Sequence, residues 1–511
     1  MDFLGPMLGG LQATVDPMLW VFVLIGTVVG VLAGALPGVG TTLAFGLVLP
    51  FTFVMEPAFA VAFLLAISVG VMYGNSIPAV LMAVPGNPAA ILTVLDGHAL
   101  QKQGKGGLAL AVTLVASLVG QTIGIVLFVL LLVPLGELGY AFQSPELFAL
   151  FALGMIALVS LSGKNILKGT VASVFGIFVA IIGLDPITNG PRYHLDTVVL
   201  RNGFGVVPVV IGLLALSELI RSTRQIYQWG DGKGEGEASR RFPKFSSLRG
   251  TLKPTFVASV FGTLVGAIPG AGATPAAMIS YQQAQFMSRE PELFGRGSIE
   301  GIAANEAAQN ASNSGELIPT LGLGIPGSGS MVLLLTALTV HGFTPGPRML
   351  EASPDLLYAA IAGMLVAVIF LAFTGWSMAA LMMKAVAMDR GVVIAVSLVF
   401  VSIGIYSLNG KLFDVGVAYA FGLIGYYMHR YGYSTAAAAL AVVLGKGFER
   451  HLRQGLSLTS NDWVTFLTRP ITAVTLSVAL LLLLLSIRRV LGVRSVGRSE
   501  DDVREVATSE G

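Results

Sequence analysis

The sequence has 511 residues, of which 54% are hydrophobic and 11% charged, and its mean hydropathy is +0.81. Because soluble domains carry about one quarter charged residues, this composition excludes an ordinary soluble protein and indicates a polytopic membrane protein. The formal net charge of +2 does not indicate any class of partner, no basic stretch interleaved with aromatic residues points to nucleic acid, and the absence of cysteine excludes disulfides and cysteine-based metal sites.

The first apolar block covers residues 18–53 and is interrupted at residues 34–40 by the sequence GALPGVG. Glycine and proline are compatible here with a broken transmembrane helix, whose freed backbone groups are tolerated when they are buried in protein or line a cavity. Two interpretations are open: a re-entrant hairpin, which we favour, or one spanning helix followed by a half helix.

The next segments are a span at residues 57–74 and a re-entrant hairpin at residues 76–98. Each hairpin arm has about ten residues, whereas a helix needs about 20 to cross a bilayer core of roughly 30 Å. Residues 85–87, Pro-Gly-Asn, stop the first arm, so the second arm begins with free backbone N–H groups directed at the middle of the membrane. This arrangement is the outline of an anion site. Asp96 and His98 are expected to cap the arm at the cytoplasmic interface.

Four longer apolar segments follow, near residues 108–134, 146–161, 166–184 and 204–220. Residues 221–253 are then polar and hold eight Lys or Arg against three acidic residues, which predicts a cytoplasmic linker by the positive-inside rule. The predicted organisation is a first membrane repeat at 1–220, this linker, a second membrane repeat at 254–448, and a last part at 449–511 with an outer loop, a transmembrane helix and a cytoplasmic tail.

The second half repeats landmarks of the first half in the same order. The sequence GAIPGAG at 266–272 copies the first interruption at a spacing of 232 residues. Ile318-Pro319 and Pro326-Gly327 copy Ile77-Pro78 and Pro85-Gly86 at a spacing of 241, and SLNGK at 407–411 copies SLSGK at 160–164 at a spacing of 247. Three ordered matches indicate an internal duplication.

Each half is expected to contain about five spanning helices plus two re-entrant hairpins or broken helices. Because five is an odd number, the second half must be inverted relative to the first. The basic loop at 446–453 disagrees with this topology, since it would lie outside, and Asp185 and Arg192 are expected to pair on an outer loop. The predicted fold class is an all-α polytopic membrane protein with two inverted repeats and one extra C-terminal helix.

Several stretches, in this order, resemble one family of transporter subunits. They are PGVG at 37–40 with LPFTF at 49–53, YG at 73–74, PG at 85–86, DG at 96–97, QG at 103–104, Asp185-Pro186 with Thr188 and Arg192, IPG at 268–270 with Tyr281, EGIAANEAAQNASNSGELIPTLGLGIPGSG from 300, FDVGVAYAFGLIGYYM from 413 and FLTRPITAV from 466. Over roughly residues 20–474 the chain resembles the large membrane subunit (TctA type) of the tripartite tricarboxylate transporters. The departures from the family pattern are Asn75 for a second Gly, Gln285 for Lys, Asn305 for Pro, Gln309 for Asn, and Gly445-Lys446 for Gly-Pro.

The resemblance implies a secondary carrier of the bacterial inner membrane, not an enzyme, that imports a di- or tricarboxylate of the citrate type. It implies coupling to a cation gradient, usually of sodium, without a cofactor. It also implies two protein partners, a periplasmic solute-binding protein (TctC type) and a small membrane subunit (TctB type). The sequence has no P-loop motif for ATP, which agrees with secondary transport. The alternative is an anion channel or a stand-alone carrier that works without a binding protein.

The candidate binding site lies between the tips of the broken segments, because half-helix ends near the midplane are the construction expected for an anion and its coupling ions. No Arg or Lys falls in the tip motifs, so helix N-termini, amides and hydroxyls must bind the carboxylate. A charge-assisted hydrogen bond contributes about 1.5 to 3 kcal/mol, and a bound cation would offset the desolvation of the anion. The candidate substrate-binding residues are Gly38, Gly40, Thr41, Thr42, Asn75, Ser76, Gly86, Asn87, Gly270, Gly272, Thr274, Asn310, Asn313, Ser314, Gly327 and Ser328. The candidate cation-binding residues are Asn310, Ser312 and Glu306. For Glu306 a proton site and a purely structural anchor at a helix end stay open as alternatives.

The linker prediction is testable because the natural chain has no cysteine. With Ser239→Cys as the single thiol, we expect a membrane-impermeant maleimide added to intact cells to leave the protein unlabelled, since a cytoplasmic linker is out of its reach. Labelling after cell lysis is the positive control. Ready labelling in intact cells would refute the predicted topology.

Overall fold

The computed structural model describes residues 4–36, 39–83, 85–137, 142–161, 166–185, 187–194, 196–225, 245–347, 349–385 and 390–484. Within these residues the chain is almost entirely helical. The strands there are β1 (Gly183–Leu184) and β2 (Pro191–Arg192), which pair antiparallel with Gly183 opposite Arg192. This architecture agrees with the predicted all-α fold class. Most of the predicted linker, at 226–244, and the predicted cytoplasmic tail, at 485–511, lie outside the described residues.

The helices before the linker follow the predicted apolar segments. In chain order they are α1 (Leu4–Ala13), α2 (Pro17–Ala35), α3 (Thr41–Thr52), α4 (Pro57–Gly74), α5 (Ser76–Met82), α6 (Ile91–Thr93), α7 (Ala99–Lys102), α8 (Gly106–Glu137), α9 (Ser144–Leu161), α10 (Ile166–Ile181), α11 (Val206–Ile211) and α12 (Ser217–Gln225). A 3₁₀ turn at Pro88–Ala90 and π-helical turns at Val94–His98 and Gly212–Leu216 lie between them.

The helices after the linker begin behind a 3₁₀ turn at Phe245–Thr251. They are α13 (Leu252–Gly266), α14 (Ala273–Met287), α15 (Ile299–Gly315), α16 (Leu317–Leu323), α17 (Gly329–Val340), α18 (Met349–Ala352), α19 (Pro354–Ala385), α20 (Arg390–Asn409), α21 (Leu412–Arg430), α22 (Thr435–Leu458) and α23 (Trp463–Thr468). Another 3₁₀ turn covers Pro291–Leu293, and a last apolar helix is described over Pro470–Leu484.

Four helical stretches are long and apolar enough to cross a membrane. They are Pro17–Ala35, Pro57–Met82, Gly106–Leu132 and Pro354–Ala379. Shorter apolar helices cover Thr41–Thr52, Ser144–Ile156, Ile166–Ile181, Gly329–Val340 and Pro470–Leu484. The described chain is thus an all-α protein with several membrane-compatible helices, and the count of five spans in each half stays a prediction.

At the first interruption, residues 34–40, the structure agrees with a spanning helix followed by a half helix. The helix before it, α2, has 19 residues and is long enough to cross a membrane, whereas α3 after it has 12 residues. A hairpin would need two short arms, but the apolar run before the interruption continues as one helix from its proline N-terminus. The chain therefore has a long helix followed by a short one at this position, not the hairpin that we favoured.

The order of the helices repeats after the linker. The pair α2 and α3 corresponds to α13 and α14 around the two glycine-rich interruptions, and the 32-residue helix α8 corresponds to the 32-residue helix α19. Packing corresponds as well, since α2 lies against α4 and α13 lies against α15, while α8 packs on α15 and α19 packs on α4. These correspondences support the duplication, and the inversion of one half relative to the other stays a prediction.

Small residues allow the corresponding helix pairs to approach closely. A Cβ built on Gly30 of α2 would lie 3.0 Å from the Cα of Gly70 in α4. In the other pair, a Cβ built on Gly266 of α13 would lie 2.8 Å from the Cα of Ser312 in α15. Close backbone contact through small residues is a common way to join helices inside a membrane. Each glycine-rich interruption is therefore held beside the helix that packs on it.

The chain divides into two compact units. One unit holds Met1–Ala141 and Gly205–Tyr426, and the other holds Phe142–Phe204 and Tyr427–Gly511. Each unit contains segments from before and after the linker. All the candidate binding residues belong to the first unit, and the division of the chain into sequential repeats stays a prediction.

The second unit contains an ion-pair network on the loop after α10. The Oδ2 of Asp185 lies 3.2 Å from Nη1 of Arg192 and 2.7 Å from Nη1 of Arg453, and Arg192 also forms a bidentate pair with Glu449. The Thr188 backbone N–H and the Arg453 guanidinium hold the pKa of the Asp185 carboxyl well below its usual range. The expected pair of Asp185 and Arg192 is present as part of this network of four charged residues.

Candidate functional site

The two stretches matched at a spacing of 241 residues form the same local structure, a broken helix. Helix α4 ends at Gly74 and α5 begins at Ser76, with Asn75 between them in a helical conformation (φ −57°, ψ −27°). Helices α15 and α16 are joined in the same way through Glu316 (φ −60°, ψ −25°). Asn75 and Glu316 are therefore equivalent positions. The predicted first hairpin arm is not separate from the preceding span but continues it, giving the 26-residue stretch Pro57–Met82.

After each short helix the chain turns back towards the break. The residue after α5 and the residue after α16 are both left-handed (φ +57° and +72°). The Gly86 N–H then donates to the carbonyl oxygen of Asn75 (N···O 3.3 Å), and a Cβ at Gly86 would lie 2.7 Å from the Asn75 Cα. A Cβ at Gly327 would lie 2.8 Å from the Glu316 Cα. Glycine is required at both turns because any side chain would collide with the backbone of the break.

Asn75 together with residues 85–87 forms what we call the first tip. The Asn75 side chain is fully buried, and neither its amide oxygen nor its amide nitrogen has a hydrogen-bond partner. The Asn87 side chain is used differently, because its Oδ1 accepts from the Ala90 N–H (2.8 Å) and caps the 3₁₀ turn. An unsatisfied buried polar group costs about 1 to 3 kcal/mol. A polar ligand bound at the first tip would relieve this cost at Asn75.

Glu316 together with residues 326–330 forms the second tip, which carries a carboxylate where the first tip carries an amide. The Glu316 side chain is buried, its Oε2 accepts from the Ser328 hydroxyl (2.6 Å), and the hydroxyls of Ser328 and Ser330 are 2.9 Å apart. An anion about 4 Å from this carboxylate would meet a repulsion of about 4 kcal/mol at an effective dielectric constant of 20. Glu316 was not among the predicted site residues, although it lies 241 residues after Asn75, which is the spacing of the repeated Pro-Gly turns.

The glycine-rich interruptions lie beside the tips. A Cβ at Gly329 would lie 3.3 Å from Oγ1 of Thr42, so the N-terminus of α3 meets the N-terminus of α17 at the second tip. Helix α14 packs against Pro88–Ala90, the turn that follows the first tip. Thr41 is buried, and Gly38 lies outside the described residues. The other predicted residues at the interruptions are half-buried, namely Gly40, Thr42, Gly270, Gly272 and Thr274.

A separate buried cluster surrounds Glu306 in α15. Its Oε2 accepts from the Ser76 hydroxyl (2.6 Å), and its Oε1 accepts from the Thr93 hydroxyl and, at 3.5 Å, from the Gln309 amide. The Asn305 amide also donates to the Thr93 hydroxyl (2.7 Å). All five side chains are fully buried. The structure therefore brings Ser76, predicted to bind substrate, into contact with Glu306, predicted to bind a cation.

The two predicted asparagines of α15 are bonded to neighbouring helices. The Asn310 Nδ2 donates to the Ser117 hydroxyl of α8 (2.9 Å), and the Asn313 Nδ2 donates to the Ser68 hydroxyl of α4 (3.0 Å). Both asparagine carbonyl oxygens are buried without a partner. These two side chains thus hold helices together and retain one free acceptor each.

The two predicted serines of α15 are also satisfied by the protein. The Ser312 hydroxyl donates to the backbone carbonyl of Gln309 (2.8 Å), and the Ser314 hydroxyl accepts from the Gln121 amide (2.7 Å). All the predicted residues of α15 are fully buried, whereas several tip residues are half-buried. A ligand can therefore reach the tips more readily than the α15 side chains, which become accessible only when packed helices separate.

Asp96 caps three backbone N–H groups of the loop ahead of α15 and not its own arm, contrary to the expectation. Its Oδ1 accepts from three N–H groups within residues 295–298 (2.8, 2.9 and 2.9 Å), and its Oδ2 accepts from the Tyr281 hydroxyl (2.7 Å). The N-cap of α15 itself is Ser298, whose hydroxyl accepts from the Gly301 N–H. His98 instead contacts the carbonyl oxygen of Val80 in α5 (3.2 Å).

The chain is similar to known sequences along most of its length. It matches the tripartite tricarboxylate transporter TctA family over residues 20–440. Two similar proteins come from Agrobacterium vitis. The "Uncharacterized 52.8 kDa protein in TAR-I ttuC' 3'region" is 30% identical over 480 residues, which cover 94% of this chain and 95% of that protein. The "Uncharacterized protein in TAR-II ttuC' 3'region" is 34% identical over 226 residues, which cover 44% of this chain and 93% of that protein. No solved structure matches the chain.

We expect Asp96→Ala to lower the free energy of unfolding by more than about 3 kcal/mol, because each buried donor left without a partner costs about 1 to 3 kcal/mol. Tyr281→Phe removes one hydrogen bond to the carboxylate and should cost about 1.5 to 3 kcal/mol. Thermal unfolding of the detergent-purified chain measures both. Asp355→Ala at the exposed start of α19 is the control, and an Asp96→Ala variant as stable as this control would contradict the capping role.

Proposed function

Because the chain belongs to the tripartite tricarboxylate transporter TctA family, we propose that it is the large membrane subunit of a binding-protein-dependent secondary transporter. The family membership confirms the resemblance seen in the sequence, and with the apolar helices it makes the chain a multi-pass membrane protein. In this proposal the chain lies in the bacterial inner membrane and imports a di- or tricarboxylate with sodium. The observation that carries the proposal is the buried, unpaired amide of Asn75 at a helix break.

The first tip is the part of the candidate site best suited to an anion. The Asn75 amide has a free donor, and the chain returns to this residue at Gly86. A charge-assisted hydrogen bond contributes about 1.5 to 3 kcal/mol to anion binding. Several such contacts together approach the ~8 kcal/mol of a micromolar site. Gly86 is predicted to bind substrate, and in this proposal it does so because its backbone lines the first tip.

Coupling to a cation has a physical reason in such a site. A carboxylate substrate loses its hydration when it enters the membrane interior, and a cation bound nearby offsets that cost. The buried carboxylate of Glu306, with the free carbonyl oxygen of Asn310 on the next turn, supplies oxygen ligands of the kind that hard cations prefer. Glu306, Asn310 and Ser312 are the sequence-predicted ligands of the coupling ion. Glu316 in the second tip is another buried carboxylate of the described site that can take this role.

The proposal includes two protein partners of this chain. A periplasmic solute-binding protein of the TctC type would deliver the substrate, and a small membrane subunit of the TctB type would complete the transporter. The substrate is identified most directly by a binding screen on the solute-binding protein encoded beside this chain.

Uptake into proteoliposomes tests the proposal. With the small membrane subunit in the bilayer and the binding protein supplied outside, we expect saturable, sodium-dependent uptake of the carboxylate that the binding protein retains. The large chain alone should transport little of it, because it receives its substrate from the binding protein. Saturable uptake by the large chain alone would refute the partner dependence, and flux that does not saturate would indicate a channel.

The role of the first tip is tested by Asn75→Asp, which adds one negative charge at the free amide. The fold tolerates a carboxylate at this position of the break, as Glu316 shows in the second tip, so the variant should insert normally. We expect at least a tenfold loss of uptake, because the added charge repels an anionic substrate. Asn202→Asp, which adds the same charge on an exposed loop, is the control. Uptake by Asn75→Asp at the wild-type rate would show that the substrate does not bind at the first tip.

A further inference from the structure

The two tips share a backbone but differ in charge at one equivalent position. Each has a helix break, a left-handed turn and a glycine that packs on the break. At the break itself, Asn75 of the first tip is neutral and Glu316 of the second tip is acidic. A duplicated scaffold that differs in charge at this position offers an anion and a cation two different places to bind.

Two serine hydroxyls lie beside the Glu316 carboxylate. The carboxylate accepts a hydrogen bond from the Ser328 hydroxyl, and the Ser330 hydroxyl lies next to that serine. Gly272, the residue before α14, lies on another side, since a Cβ built on it would be 4.0 Å from Oε1 of Glu316. Among the ion pairs of the described chain, none joins Glu316 to a Lys, Arg or His. A buried carboxylate with hydroxyl oxygens beside it and no basic side chain paired to it is a donor set that suits a hard cation.

Glu316 has more free capacity for a cation than Glu306, the other buried carboxylate of this region. Both oxygens of Glu306 already accept hydrogen bonds, and its partners Ser76 and Thr93 are fully buried. Glu316 accepts from one side chain, and Ser328 beside it is half-buried. Glu316 thus has fewer hydrogen-bonding partners than Glu306, and its partner Ser328 is less buried than those of Glu306.

We propose that the coupling cation, sodium, binds at the second tip between the Glu316 carboxylate and the hydroxyls of Ser328 and Ser330. The substrate anion is then confined to the first tip, because the Glu316 carboxylate repels it from the second. This inference rests on the proposed function in one respect, namely that the bound cation is the one coupled to transport. Sodium binding at the second tip itself does not depend on transport.

The purely structural alternative is that Glu316 only caps the N-terminus of α17 through Ser328. Glu316→Gln separates the two roles. Glutamine has nearly the same volume and still offers an oxygen to the Ser328 hydroxyl, so a cap would be kept, but the negative charge that attracts a cation is gone.

The experiment is the thermal stabilisation of the purified full chain by sodium chloride, titrated against choline chloride at constant ionic strength. We expect sodium to stabilise the wild type, and Glu316→Gln to need at least tenfold more sodium for half of the shift. Glu300→Gln, which removes a carboxylate outside both buried clusters, is the control and should respond within twofold of the wild type. Glu306→Gln tests the alternative site for the ion, and we expect its sodium response to stay within twofold of the wild type as well.

Three results would overturn the proposal. The first is a sodium response of Glu316→Gln equal to that of the wild type, and the second is a wild type that sodium does not stabilise. The third is a loss of the sodium response in Glu306→Gln as large as that in Glu316→Gln. If Glu316→Gln does not fold, Ser330→Ala is used in its place. We expect about a threefold weaker stabilisation of Ser330→Ala by sodium, and an unchanged stabilisation would overturn the proposal. Because the titration uses neither substrate nor partner proteins, its result is independent of the uptake assay. Uptake that keeps its sodium dependence in Glu316→Gln would reject this inference alone.

Discussion

The structure depends on the burial of one polar helix, α15. Every side chain from Gly301 to Gly315 is buried, although this segment carries a carboxylate and several amides and hydroxyls. In a low-dielectric interior an unpaired polar group is costly, and each of these side chains has at least one partner, although four of the amide oxygens have none. Partners come from four other elements: Ser68 of α4, Ser76 of α5, Thr93 of the arm after the first tip, and Ser117 of α8. The polar groups of α15 thereby fix the positions of these four elements around it.

Asp96 holds the same helix at its other end. Its carboxylate satisfies the donors ahead of α15 and also binds Tyr281 of α14, so the arm of the first repeat is bonded to two helices of the second. Hydrogen bonds to an ionised group are among the stronger ones in proteins. The first tip is thus connected to α15 at two points, through Ser76 near the break and through Asp96 at the end of the arm.

The turn at each tip follows from one steric constraint. The chain comes back so close to the break that Gly86 and Gly327 have no room for a Cβ. This return places backbone N–H groups and the side chain of the break residue in one small region, and the identity of that residue then sets the charge. The same backbone thereby carries an amide at Asn75 and a carboxylate at Glu316, which is how a duplicated fold acquires two chemically different sites.

Much of this was present in the sequence. Composition determined the membrane class, and the spacing of 241 residues between the Pro-Gly turns located both tips, since glycine is the residue that such close returns require. The motifs also identified the family, and the amides of Asn310 and Asn313 were recognised as buried polar groups. Two errors were local. The first arm of the hairpin at residues 76–98 was separated from α4, because a helical residue at a break leaves no mark in composition. At the first interruption a hairpin was favoured over a spanning helix followed by a half helix, although α2 is long enough to cross a membrane.

The sequence by itself therefore determined the class, the family, the helix breaks and the glycines that shape the turns, because these depend on composition, periodicity and local backbone sterics. Only the tertiary structure decided which polar groups meet. Ser76 and Glu306 are 230 residues apart, and Tyr281 and Asp96 are 185 apart. No local pattern encodes such pairs, since they are fixed by the packing of distant helices and by the cost of leaving a buried polar group without a partner. The same packing decided that Asp96 binds the loop ahead of α15 and that Glu316 lies beside the Ser328 hydroxyl, without a basic partner among the described ion pairs.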